Sequence, residues 1–298
     1  MINLTKEEYQ NSLKNSINSN EAHIFLNPKN KRKLIKIIKK ISREPDYFSI
    51  KMYTISLLLK HRDILSRLKV AIPEEIVAID DIEMGYQTRK INGRLLEDVL
   101  EDPNISLDTK IGYFKQIGGI LRTMGEIRNK TPLKNLFYVD IHEGNFIIDK
   151  NDILYGIDPD SFSIEDNTPT SGYYAGELYD LVPQGSRKYQ FCDIVTESAT
   201  DVIPDENLDL YCYIRMIINF MYGDYIDNLT PDLLFDYLDF LEFYGANLDF
   251  LYSLESIYDD SKPNINPDYL LDYIKDIYEY ANINYDKSGH LSRILKQR

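Results

Sequence analysis

The chain has 298 residues, of which 43% are hydrophobic and 28% charged, and its formal net charge is −14. These values are typical of a globular protein with a sizeable core, and they argue against a disordered chain. No run of about 18 apolar residues occurs, so we expect no membrane span, and the acidic balance argues against a nucleic-acid partner.

The charge is unevenly distributed along the chain. Residues 1–88 hold more Lys and Arg than Asp and Glu, whereas residues 89–298 hold about twice as many acids as bases. This asymmetry predicts two lobes, the second of which suits a cationic partner. The polar start, "MINLTKEEYQ", does not resemble a secretory signal, and only Cys192 and Cys212 are present. Two cysteines do not form a disulfide framework, so we expect a cytoplasmic protein.

The first third of the chain predicts a small sheet with one helix. In "AHIFLNPKNKRKLIKII" two apolar runs flank a turn, which is typical of a hairpin. The stretch "YFSIKMYTISLLLKHRDIL" has helical spacing of its apolar residues, and "EEIVAI" and "EMGYQTRKI" predict two further strands. The basic run at 29–40 alternates with apolar residues, which favours a solvated strand face over a nucleic-acid site.

Helices dominate the prediction from residue 93 onward. "NGRLLEDVL" predicts a short helix, and "SLDTKIGYFKQIGGILRTMGEIR" a long one with Ser106 and Asp108 as capping candidates. The later stretch "NLDLYCYIRMIINFMYG" is apolar nearly all round and predicts a buried helix. Cys212 lies on an apolar face of this helix, so we expect it in the core of the protein. The order is therefore a β-rich lobe followed by a larger α-rich lobe, with the site expected between them.

One stretch carries polar groups that a buried strand pair does not need. "FYVDIHEGNFIIDKNDILYGIDPDSFSI", residues 137–164, places Asp140, Asn145, Asp158 and Asp160 around two apolar runs that predict strands. Oxygen-bearing side chains of this kind are the ligands that Mg²⁺ prefers, and a carboxylate can accept the proton of an attacking hydroxyl.

These residues resemble those of the protein-kinase-like superfamily. Asp140, Asn145 and Asp158 match the spacing of its catalytic Asp, its metal-binding Asn and its metal-binding Asp. The form Asp-x-His-x-x-Asn, with His142 in the third position, is similar to that of aminoglycoside and choline phosphotransferases and of atypical bacterial kinases. "IDPDSFSI", which contains Asp160, resembles the Asp-x-Asp-Ser-Phe variant of some bacterial kinase-like proteins.

The resemblance implies roles for residues elsewhere in the chain. Lys36 in "KLIKII" matches the lysine that contacts the nucleotide phosphates, and the segment from Gln87 to Lys90 matches the hinge that faces adenine. Asp209 matches a buried Asp that accepts hydrogen bonds from the backbone of the catalytic loop, although a helix N-terminal charge explains it nearly as well. The implied cofactors are ATP and Mg²⁺.

Two features depart from the family pattern. The phosphate-covering loop, expected near "SINSNEAHIFL", has no glycine, which leaves Asn18 and Asn20 as the residues best suited to a left-handed backbone. The first helix should also supply a Glu to Lys36, yet residues 50–62 contain no acid, and the nearby candidates, Glu44 and Asp46, lie earlier in the chain.

The resulting prediction is an α+β, bilobal protein-kinase-like fold, with an N-lobe at 1–91 and a C-lobe at 92–298. Three functions stay open. The first is an active kinase of a protein hydroxyl, favoured by the long segment between Asp158 and Asp209. The second is a small-molecule phosphotransferase of the aminoglycoside or choline type, favoured by the Asp-x-His-x-x-Asn form and by an acidic lobe able to hold a cation. The third is a catalytically weak pseudokinase that serves as a nucleotide-binding module.

Overall fold

The computed structural model describes residues 1–19, 21–39 and 46–167, and beyond these only six further residues: Asp209, Cys212, Tyr213, Met216, Ile217 and Phe220. The described residues form both helices and sheets. The strands are β1 (Ile2–Leu4), β2 (Ile17–Asn18), β3 (Ala22–Asn27), β4 (Asn30–Ile38), β5 (Glu75–Ile79), β6 (Ile82–Arg89), β7 (Gly93–Leu95), β8 (Phe146–Asp149) and β9 (Leu154–Gly156). The helices are α1 (Lys6–Leu13), α2 (Tyr47–Lys60), α3 (Arg62–Leu65), α4 (Leu96–Glu101) and α5 (Leu107–Lys130).

The larger sheet has six strands in the order β1-β5-β6-β4-β3-β2. β1 pairs parallel with β5, and the other neighbours are antiparallel. The predicted hairpin is confirmed as β3 and β4, and the two further predicted strands as β5 and β6. Gly85 allows β6 to lie close to β4, because a Cβ at this position would meet the carbonyl oxygen of Lys36 at 2.0 Å.

Each face of this sheet is covered by one helix. Phe25, Ile35 and Val77 pack on the face that α1 covers through Tyr9. Side chains of the opposite face pack against α2, whose buried apolar residues include Ile55. Because successive strand residues alternate between faces, Lys36 of β4 lies on the α2 face.

The N-terminal segment, whose sequence is polar, adds elements that the sequence-based prediction does not include. It forms β1, α1 and β2. α1 begins with a capping box, in which the Glu8 N–H donates to Thr5 Oγ1 at 3.1 Å and the Thr5 N–H donates to Glu8 Oε2 at 2.8 Å. α1 buries no residue of its own completely, which explains why its apolar pattern is too weak to see in the sequence.

The smaller sheet has the order β7-β8-β9. The two predicted strands of the 137–164 stretch are confirmed as β8 and β9. The predicted short helix starts later than expected, at Leu96, because residues 93–95 extend this sheet as β7. The predicted long helix is confirmed as α5, and the Thr109 N–H donates to Ser106 Oγ at 3.2 Å at its start.

The described residues fall into two compact units. The first contains those of 1–101 and 119–167 together with Asp209, and it therefore extends past residue 91 to include the whole 137–164 stretch. The second contains 102–118 and the five described residues from 212 to 220. In it, Tyr213 donates its hydroxyl to the Phe114 carbonyl at 2.8 Å, and Cys212 is buried. In the described part of the chain, no helix is both long and apolar enough to cross a membrane.

Candidate functional site

The β8–β9 hairpin brings the two candidate metal ligands together. Phe146 pairs with Gly156, so Asn145 and Ile157 lie opposite each other where the strands end. The Ile157 N–H donates to the Asn145 carbonyl at 2.9 Å. Asp158 follows directly, in a left-handed conformation with φ 57°. Asn145 and Asp158 are thus fixed at one end of a short hairpin rather than on free loops.

The side chain of Asn145 is oriented by Asp140. Its Nδ2 donates to the Asp140 carbonyl and to Asp140 Oδ2, each at 2.9 Å. Both partners are acceptors, so the amide nitrogen faces Asp140 and the amide oxygen of Asn145 is left for a cation. Asn145 itself is buried, whereas the side chain of Asp140 is 36% exposed. Asp140 is therefore held in place and partly exposed to solvent.

Asp209 holds the loop that carries Asp140. Its two carboxylate oxygens accept the N–H groups of Tyr138, at 3.0 Å, and of Val139, at 2.8 Å. These are backbone groups of the kind that the resemblance assigned to Asp209. Val139 has φ 69°, a region that a β-branched residue rarely adopts. The Asp209 carboxylate therefore stabilises a strained backbone immediately before Asp140.

Tyr138 contacts the backbone on both strands at the end of the β8–β9 hairpin, a role that the sequence did not indicate. Its hydroxyl lies 3.3 Å from the Asn145 carbonyl and 3.2 Å from the Ile157 carbonyl. Gly156 leaves room for it, since a Cβ there would lie 2.6 Å from the hydroxyl oxygen. Burial, together with the nearby charges of Asp158 and Asp140, raises the pKa of Tyr138 well above its ordinary value, so it stays a neutral donor.

Lys36 of β4 reaches the aspartates that follow β9. Its Nζ lies 3.0 Å from Asp158 Oδ2 and 2.9 Å from Asp160 Oδ1. Lys36 and Asp160 are both buried, whereas the side chain of Asp158 is 34% exposed. Residues more than 120 positions apart in sequence thus meet in one ion-pair group.

Two further residues complete a buried charge cluster, which we define as Lys36, Lys51, Tyr86, Asp158 and Asp160. Lys51, on α2, lies 3.6 Å from Asp160 Oδ2 and donates to Ser161 Oγ at 2.8 Å. Tyr86, directly opposite Lys36 on β6, donates its hydroxyl to Asp160 Oδ1 at 2.8 Å. The sequence analysis missed both. A lysine inside the apolar run "YFSIKMYTISLLLK" was the available indication for Lys51.

The protonation states of the cluster follow from its contacts. Burial alone would lower the pKa of Lys36, but the charges of Asp158 and Asp160 outweigh it and the pKa is raised. Burial alone would raise the pKa of Asp160, yet Lys36 and Lys51, with the hydrogen bonds from Lys36 and Tyr86, hold this pKa well below its usual range. Burial and the two aspartates raise the pKa of Tyr86. Lys36 and Asp160 are therefore charged at neutral pH, and Tyr86 is neutral.

The expected helix Glu is not found among the described residues. α2 contains no acid, and Asp46 lies at its N-cap without a side-chain capping bond. Glu44 lies outside the described residues. The carboxylate partners of Lys36 in the described part of the chain are Asp158 and Asp160, and α2 presents Lys51 to the same cluster instead of an acid.

The predicted role of Gln87 requires correction. Gln87 is the residue after Tyr86 on β6, so its side chain points to the opposite face of the sheet from Lys36. There its Oε1 accepts from Asn27 Nδ2. The Gln87 side chain is therefore a structural group on the α1 face. Lys90 follows β6, and its N–H donates to the Arg32 carbonyl at 2.9 Å.

The predicted phosphate loop is the turn between β2 and β3. Asn18 lies on β2, paired with His23, and its Oδ1 accepts from Lys39 Nζ at 2.6 Å. Asn20 lies outside the described residues. Glu21, after the turn, lies 3.9 Å from Lys51, so this turn is near the charge cluster.

His142 organises the loop between Asp140 and Asn145. Its Nδ1 accepts the Gly144 N–H at 3.2 Å at the start of a short 3-10 helix, Glu143–Asn145. Its Nε2 lies 3.8 Å from Asp140 Oδ1.

In the described residues, no group of three or more His, Cys, Asp or Glu is arranged as a metal site. The candidate ligands are the Asp158 carboxylate and the Asn145 amide oxygen. Two protein ligands are enough for Mg²⁺, because Mg²⁺ keeps several waters and also binds substrate phosphates.

Comparisons with known proteins identify no family for this chain. No protein-family model matches the sequence, and no curated protein matches it significantly.

Proposed function

We propose that this chain is an ATP- and Mg²⁺-dependent phosphotransferase of a hydroxyl substrate, with a bilobal protein-kinase-like fold. The observation that carries the proposal is the meeting of Lys36 with Asp158, which directly follows Ile157, the residue hydrogen-bonded to the Asn145 carbonyl, while Asn145 donates to the Asp140 carboxylate. These are the charged and oxygen-bearing groups that phosphoryl transfer requires.

The donor set fits Mg-ATP. Asp158 and the amide oxygen of Asn145 would hold Mg²⁺, and Lys36 would contact the phosphates. When bound there, Mg²⁺ would supply positive charge against the charge that develops in phosphoryl transfer. The partly exposed Asp140 carboxylate orients the substrate hydroxyl and takes its proton. Asn145 keeps Asp140 in one orientation, and Asp209 keeps the Tyr138–Val139 backbone in place, so the proton acceptor needs no rearrangement.

A protein hydroxyl is the preferred substrate class, because the sequence leaves a long segment between Asp158 and Asp209 for a peptide. A small cationic molecule is the other substrate class, favoured by the acidic second half of the chain and by the Asp-x-His-x-x-Asn form. Both substrates use the same groups at the site.

A second candidate function is a nucleotide-binding module with little or no transfer activity. The observation that favours it is the pairing of Lys36 with two carboxylates, together with the absence of an acid on α2 within the described residues. In that case the cluster stabilises the fold and Asp140 has no substrate.

The test is transfer of the labelled γ-phosphate of ATP to a protein mixture and, separately, to aminoglycosides and choline. Binding of ATP is measured alongside, with and without Mg²⁺. The wild type and Asp158→Ala are compared, with Asp166→Ala as a control on an exposed carboxylate of the same segment.

We expect Mg²⁺-dependent ATP binding and transfer by the wild type, loss of both in Asp158→Ala, and no change in Asp166→Ala. ATP binding without transfer to any acceptor would instead select the nucleotide-binding module. No binding at millimolar Mg-ATP would overturn both functions.

A further inference from the structure

The cluster around Lys36 contains two buried ammonium groups that share one buried carboxylate. Asp160 has no exposed surface, and Lys36 and Lys51 are 5% and 4% exposed. Asp160 Oδ1 accepts from Lys36 and Tyr86 at 2.9 and 2.8 Å. Asp160 Oδ2 has no hydrogen-bond partner in the described part of the chain, and the Lys51 ammonium lies 3.6 Å from it. Asp160 is thus the group on which both lysines converge.

The two aspartates beside Lys36 differ in exposure. The Asp158 side chain is 34% exposed and the Asp160 side chain 1% exposed. A cation that enters from solvent therefore reaches Asp158 and not Asp160. If Asp158 is engaged by such a cation, Asp160 is the carboxylate that stays with Lys36.

α2 contacts the charge cluster through Lys51 rather than through an acidic side chain. The Lys51 ammonium neutralises the second oxygen of Asp160 and donates to Ser161 Oγ. It therefore joins the helix to the segment that follows Asp158. Removal of Asp160 alone would leave two buried ammonium groups with Asp158 as the nearby carboxylate, which is a costly arrangement.

We propose that Asp160 is the positioning residue of Lys36, that it holds the Lys36 ammonium in place for the phosphates of the nucleotide, and that Lys51 of α2 balances its charge. This inference rests on the proposed function, because it needs a nucleotide that Lys36 contacts. The competing explanation is that the cluster is only a structural ion-pair group of the core. A positioning role predicts that loss of Asp160 weakens phosphate binding even when the stability of the fold is restored. A purely structural role predicts that phosphate binding recovers together with stability.

The experiment compares ATP with adenosine, which lacks phosphates, in the full chain with Mg²⁺ present. The variants are Asp160→Asn, Lys51→Met and the double variant K51M/D160N, and Lys33→Met is the control. Lys33 lies on the same strand as Lys36 and pairs with Glu74 away from the cluster. Each variant is also unfolded with urea. The double variant removes one positive and one negative charge, so the cluster keeps its net charge without the positioning carboxylate.

We expect Asp160→Asn to weaken ATP binding at least about tenfold and adenosine binding less than about twofold. The double variant should regain most of the stability lost in Asp160→Asn, because no unpaired Lys51 is left buried, yet its ATP affinity should stay low. If Asp160→Asn fails to fold, Tyr86→Phe removes one hydrogen bond to Asp160 and should weaken ATP binding selectively in the same direction, by a smaller factor.

Three results overturn the inference. ATP affinity that recovers with stability in the double variant would show a structural role only, and so would equal losses for ATP and adenosine. Wild-type ATP affinity in Asp160→Asn would show that Lys36 needs no second carboxylate. If the wild type binds neither ligand, the proposed function itself fails, and that outcome is distinct from the first three because it concerns the unmutated chain.

Discussion

At the level of single residues, the Asp209 carboxylate binds the backbone of the loop before Asp140. Val139 is buried, and its backbone has a left-handed conformation. The N–H groups of Tyr138 and Val139 both donate to Asp209. A buried N–H that loses its partner costs about 1–3 kcal/mol. Asp209→Ala removes the acceptor of two such groups, so we expect the free energy of unfolding in urea to fall by about 2 kcal/mol or more.

Asp209→Asn is the matched control for this prediction, because it keeps one acceptor oxygen and loses the charge. We expect a loss between that of Asp209→Ala and zero. A change of less than about 0.5 kcal/mol in Asp209→Ala, the size of an ordinary surface substitution, would show that the loop holds its conformation without Asp209.

Asp140 provides a second prediction at this scale, which separates a proton acceptor from a metal ligand. Asp140→Asn keeps the side-chain shape and an oxygen that accepts from Asn145, but it cannot take the substrate proton. Turnover should fall by at least about 100-fold, while the dissociation constant for Mg-ATP stays nearly constant. Steady-state transfer rates and calorimetry give the two numbers. Loss of ATP binding in this variant would make Asp140 a metal ligand, and unchanged turnover would show that another group is the base.

At the element scale, α2 and the segment after Asp158 are joined along their length. Lys51 contacts Asp160 and Ser161 near the start of the helix, Asn167 donates to Thr54 in the middle, and Glu165 accepts from Lys60 and His61 at the end. The segment therefore runs along the helix from Asp160 to Glu165 and returns to the middle of the helix at Asn167. A displacement of α2 would disturb Asp160, and through it Lys36.

The contact at the end of α2 predicts a pH-dependent contribution to stability. Hydrogen bonds from Lys60 and His61 lower the pKa of Glu165 below its ordinary value. A carboxyl group with a lowered pKa in the folded state stabilises the protein above its unfolded pKa, about 4.3, and this stability is lost as the pH falls through the folded pKa. Glu165→Gln should therefore lower the melting temperature at about pH 5, and the difference from the wild type should shrink toward about pH 3.

Lys60→Met is the companion variant for this experiment, since it removes the partner that contributes most to the shift. In that background the effect of Glu165→Gln should be smaller at about pH 5. A melting-temperature difference that stays constant, or grows, as the pH falls would contradict the assignment of this pair.

At the scale of the whole molecule, the sequence predicted the elements that have strong periodicity and the polar residues at their ends. The β3–β4 hairpin, α2 and α5 have long apolar patterns, and the β8–β9 hairpin is marked by two short apolar runs. The placement of Asn145 and Asp158 at one end of β8 and β9 follows from the spacing of polar residues around two short strands. These parts of the site were therefore visible before the structure.

The remaining parts depend on tertiary contacts that no local pattern shows. β1 is only three residues long and pairs with β5 across more than 70 positions. The face on which Gln87 lies is decided by the register of β6 against β4, which places Tyr86 opposite Lys36. A shift of one residue would exchange Gln87 with Tyr86. The contact of Lys51 with Asp160 likewise requires the packing of α2 on the sheet.

Calorimetric titration of Mg-ATP into three forms of the full chain tests the proposal that Lys36 contacts the phosphates of bound Mg-ATP. The forms are the wild type, Lys36→Ala and, as a control on the same strand, Lys33→Ala. We predict Mg²⁺-dependent binding to the wild type, an affinity at least about tenfold weaker in Lys36→Ala, as expected when a buried charge-assisted contact is lost, and an unchanged affinity in Lys33→Ala. No wild-type binding at millimolar Mg-ATP, or wild-type affinity in Lys36→Ala, would contradict the account.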